Sequence, residues 1–324
     1  MATINTVVKP IQKEIETFQK FYSDALHGHN SEFQAVIEYV ARANGKQIRP
    51  IILLLSAKLC GKINQNTIDY AIILELLHTA TLIHDDVVDN SLERRDQPSV
   101  NAKFDNRIAV LLGDYILSLA ITNGVKTRNF KVLDIMSNLA HNLSDGELAQ
   151  LTSSKNFIVD ESRYFEIIRK KTAVLISSCT EMGALSVNAS PENINILQTI
   201  GKNLGLCFQI KDDIFDYFEQ GEIGKPTGND IREGKITLPL IYAINNAPKE
   251  VSEPLIVILK TQNFTEENVL MLTEFAKTYK GIEYAQSKMQ EIKEKTIALL
   301  DTFPDSEVKE AMISLIDYII ERKK

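Results

Sequence analysis

Apolar residues recur at intervals of three and four along almost the whole chain, the spacing that gathers side chains on one face of an α-helix. Near the start the pattern is carried by Ile15, Phe18, Tyr22 and Leu26, and near the end by Val308, Met312, Leu315 and Ile319. Further periodic stretches run over 68–89, 107–122, 131–151, 162–188 and 194–219. Several are apolar around most of their circumference, which predicts helices buried among other helices. No stretch shows the alternation of a half-buried strand, and no repeat of roughly 20–50 residues interrupts the chain. No linker rich in Pro, Ser or charge marks a boundary. The pattern predicts an all-α protein with one domain over residues 1–324.

Composition sharpens this picture. Only 14 Gly and 9 Pro occur among 324 residues, so elements should be long, which favours helices over a turn-rich β fold. The net charge of −7 argues against nucleic acid as the main partner. It leaves room for a phosphorylated substrate if a divalent cation stands between acids and phosphates. Cys60, Cys179 and Cys207 are far apart in apolar stretches and read as buried thiols of a reducing compartment. The first ten residues lack the apolar core of a signal peptide, and no apolar run approaches the roughly 18–20 residues that span a bilayer. A cytoplasmic protein is expected, with any membrane contact peripheral.

Two loops stand out against the scarcity of glycine. Residues 90–101 carry Arg94, Arg95 and Pro98, and residues 220–236 carry Gly221, Gly224, Gly228 and Gly234 with Pro226, Lys225 and Lys235. Cation-bearing loops of this kind often close over sites.

The strongest signal is a pentad that occurs twice: Asp85-Asp86-Val87-Val88-Asp89 and Asp212-Asp213-Ile214-Phe215-Asp216. On a helix, positions i and i+4 share a face, so Asp85 projects with Asp89, and Asp212 with Asp216. Two carboxylates one turn apart beside an apolar core repel each other unless something neutralises them. Mg²⁺ suits them, because it takes one or two carboxylates and fills its remaining positions with water and phosphate oxygens. A single such motif is more often a solvated acidic turn. Two, each flanked by apolar residues and followed by cations, point to chemistry.

Basic residues complete the constellation. Lys46 and Arg49, in Gly45-Lys46-Gln47-Ile48-Arg49-Pro50, precede an apolar helix whose start also favours anions. Arg94 and Arg95 follow the first acidic motif, and Lys171 with Thr172 lies mid-chain. Each cluster alone reads as solvated surface; together they supply one diphosphate held through metal and a second held by bare cations. His78, Leu82, Asp85 and Asp89 follow a 4-3-4 rhythm and line one helix face.

With these motifs in order from Gly45 to Pro239, the chain resembles the trans-prenyltransferases, the polyprenyl diphosphate synthases. The resemblance implies an all-α bundle around a deep central cavity, usually a homodimer. It implies Mg²⁺ held by Asp85, Asp89 and Asp212, about three ions with substrate bound, with Asp86, Asp213 and Asp216 in support. It assigns Arg94, Lys171 and Lys225 to the allylic diphosphate. Gly45, Lys46, Arg49, His78 and Arg95 fall to isopentenyl diphosphate, and Thr172, Gln209, Asp230 and Lys235 to the surrounding cavity. Departures are small: Gln47 stands where relatives are often basic, and Asp96 where Gly is common.

The implied reaction is ionisation, condensation and proton loss, which needs no side-chain nucleophile. Chain length is argued from the helix of the first motif. Ala80 is placed about 7–8 Å below Asp85 at roughly 1.5 Å per residue, where short-chain relatives carry a bulky aromatic. With Ala80 and Thr81 both small, the tail should pass, and Met136 is the candidate floor. A product of roughly seven to nine isoprene units for a quinone side chain is expected. A short-chain synthase stays open. A class I terpene cyclase would not need Lys46, Arg49 and Arg95, and a non-catalytic partner subunit usually loses acids that this chain keeps.

Overall fold

Helix starts follow the local chemistry of the chain. At Asn64 the side chain accepts from the Asn66 N–H while Thr67 accepts from the Asn64 N–H, a reciprocal cap that opens the helix of the first acidic motif. Ser190 accepts from the Asn193 N–H and Pro191 takes the first helical position, which opens the helix of the second. The computed structural model describes residues 3–26, 34–42, 45–95, 97–218 and 228–322.

The main helices are α1 (Gln12–Leu26), α2 (Gln34–Arg42), α3 (Ile48–Cys60), α4 (Gln65–Val88), α5 (Asn106–Lys126), α6 (Phe130–Asn156) and α7 (Glu161–Ile168). They continue with α8 (Val174–Ser186), α9 (Pro191–Phe215), α10 (Leu238–Asn246), α11 (Lys249–Lys260), α12 (Glu266–Thr278), α13 (Gly281–Leu300) and α14 (Glu307–Glu321). Among the described residues the only β structure is Glu93–Arg94 paired antiparallel with Gln97–Pro98, inside the loop that follows α4. The fold is an all-helical bundle.

The periodic stretch 162–188 is not one helix. It breaks into α7, a π-helical turn over Arg169–Ala173 and α8, with the Val174 N–H bonded to the Arg169 carbonyl. One residue has been inserted into the turn without disturbing the apolar spacing, so the sequence pattern did not reveal it. Such turns are frequent at functional sites, and this one carries Lys171 and Thr172.

The buried apolar side chains form one cluster that reaches from Val7 to Ile319. Within it α4 packs along α5 and α3, and α8 packs against α3 and α9. α5 corrects an expectation. It is long and apolar enough to cross a membrane by length and composition, although Asp114 and its polar ends break any uninterrupted apolar run. One side packs against α4, and only a third of its most apolar stretch is buried. Leu111, Ile121 and Val125 are at least half exposed on its outer side.

Candidate active site

α4 and α9 aim the two acidic motifs at one cavity of about 730 Å³. Asp85 and Asp89 line it from α4 and Asp212 from α9, while Asp86, Asp213 and Asp216 do not. Arg49, His78, Thr81, Arg94, Lys171, Thr172 and Gln209 also line it.

The other three acids hold the scaffold. Asp86 is buried and takes Arg94 Nε and Nη2 on one oxygen, each at 2.6 Å, while the Asn101 amide donates to the Asp86 carbonyl. The loop after α4 is thereby tied to the motif that precedes it. Asp213 accepts from Tyr164 Oη at 2.6 Å and from Gln209 Nε2 at 2.8 Å, and Thr172 donates to Gln209 Oε1 at 2.6 Å. The second motif is thus connected by side-chain hydrogen bonds to the π turn. Asp216 accepts the N–H groups of Asn229 and Asp230 at 2.9 and 3.0 Å, which pins the segment entering the short helix Asn229–Arg232.

Three of the cations, Arg94, Lys171 and Lys235, are held by carboxylates. Lys171 Nζ sits 2.7 Å from Glu147 and 3.3 Å from Gln150 on α6. Gly146, next to Glu147, lets α6 rest directly on the π turn: a Cβ there would lie 2.9 Å from the Lys171 nitrogen. Lys235 pairs with Glu233 and lines an adjoining pocket of about 220 Å³ with Gln209, Asp213 and Asp230. On the other side, the Arg95 guanidinium lies against Gly45, and both line a smaller pocket with Glu75 and Arg94. Lys46 lies exposed near Tyr318 of α14, 5.6 Å from the ring centre. Lys225 and Asp96 lie outside the described residues.

Of the three chain-length positions, only Thr81 lines this cavity. Ala80 is buried in the core and does not line the cavity, because five residues on a helix turn roughly 140° away from Asp85. Thr81, four residues before Asp85, shares its face and does line the cavity, with its hydroxyl donating to the His78 carbonyl. Met136 is also buried and does not line the cavity; its sulfur occupies the space beside Gly124 of α5, where a Cβ would meet it at 2.6 Å.

One functional contact had no signal in the sequence pattern. Arg322, beyond the end of α14, places Nη2 2.6 Å from Asp212 Oδ1 and 3.0 Å from the Phe208 carbonyl, with its guanidinium 4.0 Å above the Phe208 ring. The two partners are 110 residues apart.

The electrostatics suit a metal bound together with an anion. Among the described residues neither the Asp85 nor the Asp89 carboxylate has a hydrogen bond or ion pair, although the Asp89 N–H donates to the Asp85 carbonyl. Burial raises the Asp85 carboxyl to about 6; Lys171 lowers it, Glu147 and Asp89 raise it further, and Arg94 lowers it. Burial likewise raises Asp213 and Asp216. Among the described residues no three His, Cys, Asp or Glu side chains form a metal cluster alone. The donors are hard oxygens from facing helices, which fits Mg²⁺ completed by phosphate oxygens. His78 is held well below its usual value by burial and by Arg49, Arg95 and Arg94, so it is a neutral hydrogen-bonding group.

Residues 30–275 match the family model for polyprenyl synthetase. The chain belongs to the polyprenyl synthetase family. As a member it is a trans-prenyltransferase. It is 34% identical over 301 residues to the octaprenyl diphosphate synthase of Escherichia coli (strain K12), covering 91% of this chain and 92% of that one. A crystal structure of geranylgeranyl pyrophosphate synthase from Bacteroides thetaiotaomicron superposes with a TM-score of 0.86 at 38% identity, covering 98% and 99% of the two chains. A polyprenyl synthase from Caulobacter crescentus CB15, complexed with calcium and isoprenyl diphosphate, gives 0.90 at 29% identity over 100% and 99%.

Proposed function

We propose that this prenyltransferase joins isopentenyl diphosphate to an allylic diphosphate and repeats the step to give an all-trans chain of roughly seven to nine isoprene units. The observation that carries the reading is the facing of Asp85 and Asp89 towards Asp212 across one cavity that also holds Arg49, Arg94 and Lys171. Similarity to an octaprenyl synthase supports the long product, as does Thr81, a small residue where a tail would descend.

The allylic diphosphate lies between the acidic motifs, with Arg94 and Lys171 on its oxygens. Lys171 exchanges Glu147 for phosphate, which keeps the cation from being buried unpaired before substrate arrives. Magnesium, about three ions held by Asp85, Asp89 and Asp212, supplies Lewis-acid stabilisation of charge on the departing diphosphate. Lys46, Arg49 and Arg95 hold the diphosphate of isopentenyl diphosphate, with neutral His78 as a donor. The carbon–oxygen bond of the allylic substrate breaks and the isopentenyl double bond attacks the resulting cation. The proton lost from the new chain goes to the released diphosphate. Leu82, Leu143 and Leu175 exclude water from the cation.

The enzyme acts in the cytoplasm as a homodimer, and its three free thiols fit a reducing compartment. The exposed apolar side of α5 supports pairing with a second copy, which sedimentation of the purified protein tests. The product is destined for a quinone side chain.

The reaction is tested by incubating protein, Mg²⁺, farnesyl diphosphate and labelled isopentenyl diphosphate and sizing the dephosphorylated products. Chains of roughly seven to nine units, lost with Asp85→Asn or EDTA, are expected. Chains ending at three or four units would retain the reaction and refute the length.

A further inference from the structure

Glu75 lies on α4 one turn before Thr79, with an 8% exposed side chain in an otherwise apolar stretch. Its Oε2 has no hydrogen-bond partner, and neither has Arg49 Nε, also buried. No ion pair joins the two residues among the described contacts, but Glu75 lines one pocket with Gly45, Arg94 and Arg95; burial raises its carboxyl above the usual value, and Arg49 and Arg95 offset part of that rise. A buried acid without a direct salt bridge, beside two arginines, costs stability that a neutral residue would not. Its position is selective. Glu75 is three residues from His78, about 4.5 Å along the helix axis, and ten from Asp85, about 15 Å. Its field therefore falls on the bare-cation site and much less on the metal site.

We infer that Glu75 is a positioning residue that acts through Arg49 and Arg95 to weaken the bare-cation diphosphate site. The inference rests on the assignment of that site to isopentenyl diphosphate. After each condensation the elongated chain carries its diphosphate there, and the next round requires that group to move between the acidic motifs. A site of undiminished positive charge would retain it. The Glu75 carboxylate offsets part of the charge of the two guanidinium groups, so the diphosphate leaves for the metal site and elongation continues.

A purely structural acid and a charge-offsetting acid predict opposite signs. The assay is calorimetric titration of inorganic diphosphate into metal-free protein, which reads the bare cations without any turnover. Glu75→Gln, which keeps the shape and loses the charge, should bind diphosphate about tenfold tighter. It should also lower the KM for isopentenyl diphosphate, reduce kcat for multiple rounds and shorten the products. Glu75→Asp should stay near wild type. If Glu75→Gln fails to fold, Glu75→Met removes the charge at similar volume and decides the matter. Unchanged or weaker diphosphate binding in the neutral variant would overturn the inference. Wild-type protein that binds diphosphate but incorporates no isopentenyl diphosphate would instead overturn the proposed function, and the titration would still judge Glu75.

Discussion

Replacing Gly146 by alanine tests how rigidly the π turn must be seated. The new Cβ would lie 2.9 Å from Lys170 Cβ, 2.9 Å from the Lys171 nitrogen and 3.1 Å from the Lys170 carbonyl carbon. Two of those atoms are backbone, so rotation of a side chain cannot relieve the contact. Ordinary separation requires α6 and the turn to part by about 0.5–1 Å. Overpacking of this kind costs about 1–3 kcal/mol, and alanine in a helix interior returns about 1 kcal/mol relative to glycine. Net destabilisation is therefore small, about 0–2 kcal/mol. Activity should suffer far more. Lys171 and Thr172 move with the turn, and displacement of a positioning group by about an ångström costs about 100-fold. Urea melts should show a modestly weakened protein, while initial rates of isopentenyl diphosphate incorporation should show kcat/KM down by one to two orders of magnitude. A folded variant with activity within about threefold of wild type would refute the claim that the α6 contact sets the geometry of Lys171.

Three further outcomes follow from the site. Thr81→Phe puts an aromatic ring on the cavity face below Asp85 and should shorten the product to roughly three or four units with the rate of the first condensation retained; unchanged chain length would show that the tail runs elsewhere. In metal-free protein the Asp85 carboxyl titrates near 6 against an ordinary 3.8, so its contribution is intact below about pH 4 and is lost as pH rises through 6. Relative to Asp85→Asn, wild type should lose up to about 2–3 kcal/mol between pH 4 and pH 7 in EDTA, and unfolding midpoints that keep a constant difference would contradict this. Arg322→Gln frees Asp212 from its ion pair and should lower the Mn²⁺ concentration at which the site half-fills; a rise would show that Arg322 does not compete with the metal.

Much of this site was legible because its residues lie at helical spacing on long helices. Asp85 and Asp89 share a face by arithmetic, and the apolar residues around them made the charge unusual enough to notice. The same arithmetic separates the two small residues before the motif: Ala80 is buried in the core, while Thr81 lines the cavity. What lay beyond reach depended on contacts distant in sequence or on backbone detail. Arg322 meets Asp212 only because α14 returns beside α9. The π turn at Arg169–Ala173 leaves the three-and-four spacing of its flanks intact, so the stretch reads as one continuous helix. Glu75 sits among Leu74, Leu76 and Leu77, and periodicity alone cannot say which way a single acid in an apolar helix is turned. The split of labour within each pentad, one part lining the cavity and the other anchoring Arg94, Tyr164 or the N–H groups of 229 and 230, also required coordinates.

The central claim is that the facing acids hold a metal-bound allylic diphosphate while the bare cations hold a second one. It is tested most directly by crystals grown with Mn²⁺, isopentenyl diphosphate and a non-ionising farnesyl thiodiphosphate, read by anomalous scattering. The account predicts manganese peaks bridging Asp85 and Asp89 on one side and Asp212 on the other, with Arg322 displaced from Asp212. It predicts the isopentenyl diphosphate at Arg49, His78 and Arg95 with no metal beside it. Manganese on the Arg49 side, or a thiodiphosphate bound away from both acidic motifs, would contradict it.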